Sequence, residues 1–247
     1  MINKILKKLK GSAPGEIELD KHQSETKFWK DELERYNQWY VGSLKEMYLT
    51  ESPLDSEKVV ARDPNHSSIL TWHKKHQEVK YLKDLNLEKD IFKGKRVLDV
   101  GSGPMPSATC FEGADLYCID PLLDRYISVG FPIHLYGDVK FIQGYSENIP
   151  VTDGFFDVVL SVNALDHVDD FEKTATDIKR VLKKDGLVIF HIHCHEPTQN
   201  EPLELTDGRI AKAFSGIKNF KKLSESKEKF GYQCAENESY SLWSNFA

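Results

Sequence analysis

Apolar residues change their spacing once along this chain. Before about residue 95 they recur every three or four positions, which predicts helices; after it they come in short runs, which predicts strands. Residues 1–10 set Ile2, Ile5, Leu6 and Leu9 among Lys4, Lys7, Lys8 and Lys10, a short basic amphipathic pattern. It suits peripheral docking on an anionic membrane or a partner protein. A frayed, soluble terminus is the plainer reading, because ten residues bind membranes weakly. Residues 11–15, with Gly11, Ser12, Pro14 and Gly15, form a linker, so 1–15 is one segment with its tether. From Ser24 to about Tyr48, Phe28, Trp29, Leu33, Tyr36, Tyr40, Leu44 and Met47 keep helical spacing. A turn-rich break at Pro53 and Asp63-Pro64-Asn65 precedes a second helix, on which Ile69, Trp72, His76, Val79 and Leu82 share a face. Residues 16–94 are therefore expected to form an N-terminal helical lid. Packing is the ordinary role of its tryptophans, and lining an acceptor pocket is the sharper one, so Trp29 and Trp39 are taken as substrate-side candidates.

Residues 95–247 read as a second unit. Strands are expected at 96–100, 115–119, 139–143, 157–162 and 186–193, with a clear helix at 171–183 whose Ala175, Ile178, Val181 and Leu182 face inward. Strands alternating with helices argue for a doubly wound, mostly parallel α/β sheet. In the tail no helical rhythm is evident, and 220–223 with 239–243 reads as a closing antiparallel pair, giving seven strands with the last antiparallel.

Composition narrows the class. The chain has 247 residues, 33 basic and 39 acidic, for a net charge of -6, so no global attraction to nucleic acid is expected. Cys110, Cys118, Cys194 and Cys234 are far apart, with no CxxC pair, as for reduced thiols in a cytoplasm. No apolar run is long enough to span a membrane, and no secretory signal pattern opens the chain.

The first strand runs into Leu98-Asp99-Val100-Gly101-Ser102-Gly103-Pro104. Glycines at the carboxyl end of a parallel strand let a ligand approach the backbone. The second strand ends in Ile119-Asp120-Pro121-Leu122, and Asp120 lies 120 − 101 = 19 residues beyond Gly101, about the spacing that sets an acid on a ribose diol. Pro106 stands where a dinucleotide site needs its third glycine, and no GxxxxGK[ST] occurs, so pyrophosphate binding is disfavoured.

These residues resemble the class I S-adenosylmethionine-dependent methyltransferases. The likeness runs in order through Val97-Leu98-Asp99-Val100-Gly101-Ser102-Gly103, Asp120, Gly144-Tyr145-Ser146-Glu147, Phe155-Phe156-Asp157-Val158-Val159, Asn163-Ala164-Leu165-Asp166-His167-Val168 and Lys184-Asp185-Gly186. Small-molecule and ubiquinone-biosynthesis-like members are similar, as are methyltransferases of bacterial surface sugars. The resemblance implies S-adenosylmethionine as cofactor, Gly101 and Gly103 under its methionine part, Asp99 holding the loop, Asp120 on the ribose and the 145–147 loop beside adenine. The implied cofactor set is Asp99, Gly101, Ser102, Gly103, Asp120, Pro121, Leu122, Ser146, Glu147 and Asn163. Tyr145 departs from the pattern, since many members carry there an aspartate that binds the adenine amino group.

Methyl transfer is an in-line displacement that needs alignment and dryness, and a base only for acceptors such as hydroxyls. Base candidates are Asp166 and His167, in the family position facing the cleft, and His193 and His195 at the end of the fifth strand. His191 is the structural member of that series. The HxH pairs raise a metal reading, with Asp166 or Glu196 completing the set. Because His191 and His195 stand about 13 Å apart on a straight strand, all three cannot share one ion, and no metal is assigned. In the polar loop 196–202, Thr198 and Glu201 are substrate-side candidates. The expected reaction is O-methylation of a glycan or another hydroxyl-bearing small molecule, in polysaccharide biosynthesis. Alternatives are N- or C-methylation of a metabolite and a non-catalytic cofactor-binding assembly subunit.

Overall fold

Short runs of aliphatic residues that are buried on both faces build the centre of one sheet, as parallel strands covered on either side require. The computed structural model describes residues 20–47, 73, 78–229 and 232–246. Its strands are β1 (Arg96–Val100), β2 (Asp115–Asp120), β3 (Lys140–Gln143), β4 (Phe156–Val162), β5 (Leu182–Cys194), β6 (Lys221–Ser226) and β9 (Ser239–Ser244), in the order β3-β2-β1-β4-β5-β9-β6. A separate small hairpin pairs β7 (Glu228–Lys229) with β8 (Tyr232–Gln233). Pairing is parallel from β3 to β5 and antiparallel at β5–β9 and β9–β6. The sheet is thus the expected seven-stranded, doubly wound one.

The helices are α1 (Lys21–Met47), α2 (Glu78–Leu85), α3 (Leu123–Ser128), α4 (Phe171–Val181) and α5 (Asp207–Ala213). On one face of the sheet, Phe171, Ala175 and Ile178 of α4 and Ile210 of α5, with Phe214 behind them, pack on Leu98, Val159 and Phe190. Each of the larger of these side chains contributes about 1.5–3 kcal/mol by leaving water. On the other face, Tyr81 and Leu85 of α2 join Phe92 and Phe111 over Val97, Val158 and Ile189. Leu33 and Tyr36 of α1 form a third cluster with Leu123 and Tyr126 of α3 and with Phe131.

Two expectations are corrected, and a third lies partly outside the described residues. The tail does contain a helix, α5, started by Thr206, whose Oγ1 accepts from the Arg209 N–H at 3.3 Å. Two turns are too short to show a rhythm in sequence. Helix α4 ends at Val181, because Leu182 is already extended (φ −77, ψ 137) and pairs with Phe156. Of the second lid helix, α2 is the described part; Ile69, Trp72 and His76 lie outside the described residues, as do residues 1–15.

Candidate active site

The chain order puts β2 and β3 on one side of β1 and returns β4 to its other side. That reversal opens a crevice at the carboxyl ends of the strands, where doubly wound sheets bind ligands. A cavity of about 1160 Å³ fills it, lined among others by Gly101, Gly103, Asp120, Asn163 and His167. Gly101 has φ +70, and a Cβ there would stand 2.3 Å from the Ala164 Cβ, so no other residue fits without moving the loop after β4. Gly103 has φ +64 and faces Trp29, whose ring carbon is 3.6 Å from where a Cβ would be. After Gly103 the chain makes only a 3-10 turn, Ser107–Cys110, in place of the longer helix whose N-terminus would meet a pyrophosphate.

Asp120 is held from both sides. The Gly103 N–H donates to its Oδ2 at 2.9 Å and the Leu122 N–H to its Oδ1 at 2.8 Å. Burial raises its carboxyl to about 6, against those two N–H groups, which pull it down. Pro121 lines the cavity, whereas the Leu122 side chain is buried in the cluster beneath α1. Asp99 lies fully buried below the glycine loop, with the Tyr81 hydroxyl 3.3 Å from it, and burial pushes its carboxyl up to about 8. Ser102 lines the cavity and is buried. Ser146 also lines it, its Oγ 3.1 Å from Thr174 Oγ1. Glu147 accepts from the N–H groups of Asp169 and Asp170 at 2.9 and 3.1 Å, so its carboxylate ties that loop to the start of α4. Asn163 has φ +56, and its buried Oδ1 has no hydrogen-bond partner in the structure.

On the other side of the crevice is a knot of imidazoles and carboxylates. His167 lines the cavity, with Nδ1 3.9 Å from Glu25 Oε2 and Nε2 3.7 Å from Glu201 Oε1. Burial works against its charge, but Glu201, Asp166 and Glu25 outweigh burial and raise its pKa. Behind it His195 Nε2 sits 3.0 Å from Asp166 Oδ2, both residues buried. Asp166 lifts the His195 imidazole to about 9. His193 has Nδ1 3.8 Å from Glu201 Oε1, and His167 and His193 hold the Glu201 carboxyl well below the usual range. Thr198 and Glu201 close a turn, Thr198 N–H to Glu201 O at 2.8 Å and Glu201 N–H to Thr198 Oγ1 at 3.0 Å, and both line the cavity. His191 lies away from this knot, stacked on Tyr240.

Residues 98–190 match the family model described as a methyltransferase domain. The chain carries a class I methyltransferase domain. It is 31% identical over 112 residues to the uncharacterized methyltransferase YcgJ of Bacillus subtilis, covering 43% of this chain and 44% of that one. It is 27% identical over 155 residues to the phthiotriol/phenolphthiotriol dimycocerosates methyltransferase 1 of Mycobacterium ulcerans, covering 61% and 52%. The match therefore spans about half the length of these curated relatives. Among solved structures, phosphoethanolamine N-methyltransferase 2 of Haemonchus contortus in complex with S-adenosyl-L-methionine shares the fold at a TM-score of 0.53 and 15% identity, over 68% of this chain and 51% of that one.

S-adenosylmethionine is the cofactor of the methyltransferase domain, and the residues present fit it. Gly101 and Gly103 leave the loop bare of side chains, Asp120 keeps lone pairs for a diol, and Asn163 holds an unpartnered acceptor. Tyr145 borders the cavity with its ring 6.0 Å from that of His22. Glu25 on the cavity wall and Glu238 beside His193 are not among the residues expected from the sequence. Glu25 lies one helical turn before Trp29 on α1, a spacing that puts both on the same face. Glu238 reaches His193 Nε2 at 3.3 Å from the loop before β9, and nothing in its neighbourhood flags it. The side chain of Trp39 lies outside the described residues.

Proposed function

We propose that the chain methylates a hydroxyl group on a glycan or other hydroxyl-bearing small molecule, as in polysaccharide biosynthesis, with S-adenosylmethionine as donor. When bound, that cofactor supplies an electrophilic methyl group on its sulfonium. Gly101, Ser102, Gly103, Asp120, Pro121, Ser146, Glu147 and Asn163 hold it from the cavity wall, and Asp99 and Leu122 position those groups from behind. Helix α1 serves as a lid, with Trp29 over the glycine loop, and excludes water from the transfer. The carrying observation is His167 on the cavity wall between Glu25 and Glu201, 3.9 and 3.7 Å away. An imidazole so flanked is placed to take the proton of a hydroxyl, and the carboxylates orient the ring. Asp166, His193 and His195 do not line the cavity, so they act as positioning residues for Glu201 and its loop. Thr198, Asn200 and Glu201 give the acceptor rim the hydrogen-bonding groups that a polyol uses. The M. ulcerans relative is named for phthiotriol and phenolphthiotriol acceptors, which supports a hydroxyl acceptor. Among the described residues no helix is long and apolar enough to cross a membrane. We place the enzyme in the cytoplasm, with peripheral docking left to residues 1–10.

The test is mass-spectrometric detection of methyl transfer from S-adenosylmethionine to a panel of sugars and small alcohols. His167→Ala is expected to lower kcat by about 10²–10⁴-fold while S-adenosylhomocysteine affinity stays within about twofold. Full activity in that variant, or methylation at nitrogen or carbon only, would sink the proposal.

A further inference from the structure

We propose that Asp166, His193, His195 and Glu201 together bind one divalent transition-metal ion of the zinc class. Each of the four offers one ligand atom, and these atoms all lie within 4.8 Å of one another. His195 Nε2 stands 3.0 Å from Asp166 Oδ2 and 3.6 Å from Glu201 Oε2, and His193 Nδ1 stands 3.8 Å from Glu201 Oε1. A tetrahedron with metal–ligand bonds of about 2.0–2.1 Å has edges of about 3.3–3.4 Å, so small side-chain shifts complete it.

The outer nitrogens of both rings carry the second half of the argument. His195 Nδ1 lies 2.6 Å from the Glu196 carbonyl oxygen. A carbonyl only accepts, so Nδ1 carries the proton and, in a neutral ring, Nε2 presents its lone pair to the cluster. His193 is fixed in the same way, with Nε2 3.3 Å from Glu238 Oε2 and its ring stacked on Tyr240 at 4.5 Å. Metal-ligating histidines have this arrangement: one nitrogen inward, the other donating to a carbonyl or carboxylate. Asp166 is fully buried, and its Oδ1 has no hydrogen-bond partner in the structure. Asp166 is buried and Glu201 half-buried beside two imidazoles, so the cluster calls for positive charge, which a dication supplies in place of protons on the rings. Mixed imidazole and carboxylate ligands suit zinc and its transition-metal neighbours better than magnesium or calcium, which prefer all-oxygen sites.

The strand distance that argued against a metal concerns His191, which stays outside the cluster. What the sequence could not show is that the loop after β5 turns back and brings Glu201 to the pair. Only Glu201 of the four lines the cavity, so the ion would sit behind its acceptor wall and pin the 196–202 loop to β5.

The site stands independently of the methyl-transfer reading, and its test uses no S-adenosylmethionine. The purified full chain, stripped with a chelator, is titrated with Zn²⁺ by calorimetry and with Co²⁺ while its visible spectrum is recorded. One saturable equivalent and the intense bands of tetrahedral cobalt are expected. His193→Ala and Glu201→Gln should each weaken binding at least about tenfold, and Glu238→Ala, which frees the outer nitrogen of His193, about tenfold. His134→Ala, an exposed imidazole elsewhere, should leave it unchanged. Glu201 lies on a rim loop, so its substitution keeps the fold, as far-UV circular dichroism will report. No saturable binding, or equal affinity in the folded His193→Ala/Glu201→Gln double variant, would overturn the proposal and leave an imidazolium–carboxylate knot.

Discussion

Asp120 ties two loops together at the mouth of the cavity. Its two oxygens take N–H groups from the glycine loop and from the start of α3, which fixes the mouth of the cavity before anything binds. Burial raises the carboxyl to about 6, with Glu25 adding to the rise, while the Leu122 and Gly103 N–H groups and His167 oppose it; Tyr126 also faces it. Below that pH the protonated group is a poorer acceptor, so S-adenosylhomocysteine affinity should fall as pH drops through about 6. Stability runs the other way. A folded value above the unfolded one means the native state holds the proton more tightly, so this group's stabilisation is present at low pH and lost as pH rises through about 6. Calorimetric titrations from pH 5 to 8 check the first statement, and Asp120→Asn should flatten the profile. The position of Asp120 was legible from its spacing to Gly101. Its carboxyl's high value was not, because burial depends on Tyr126 and α1, which the linear pattern does not place.

At the scale of elements, α1 was legible in outline because 27 residues give many turns in which a three-and-four spacing can be seen. Its partner was not. The helix lays Trp29 edge-on to Tyr126 and Phe131, at 6.3 and 6.1 Å, and sets the same ring against the glycine loop. Trp29→Ala should therefore act twice: unfolding free energy falls by about 1–3 kcal/mol, less than for a fully buried tryptophan, and cofactor affinity falls with it. Denaturant melts and S-adenosylhomocysteine titration of one variant read both. A loss of stability with unchanged affinity would mean that α1 packs there without covering the cofactor. Helix α5 was missed for the opposite reason, since two turns display only Ile210, Ala211 and Ala213 before the chain leaves the helix at Phe214.

For the whole molecule, the sheet is a rigid base and the cleft a rim of loops. Strands β1 and β4 and the stretch 188–192 of β5 are buried on both faces and bonded on both edges, so their amides should exchange with solvent most slowly. Adding S-adenosylhomocysteine should slow exchange in two separate places, the 101–104 loop and α1, because the cavity is lined by both. Hydrogen-exchange mass spectrometry with and without the ligand measures this. Protection confined to the loop would remove the lid role from α1.

From the amino-acid order alone came the strand and crossover rhythm, the bare loop at Gly101 and Gly103, and the acid at Asp120. Each is a local matter, because backbone conformation and side-chain alternation are set within a few residues. The tertiary structure alone decided which charged groups meet. Glu25 from α1, Glu201 from a rim loop and Glu238 from the loop before β9 converge on histidines of two other segments. Distance along the chain carries no record of such meetings, since they follow from how the layers pack.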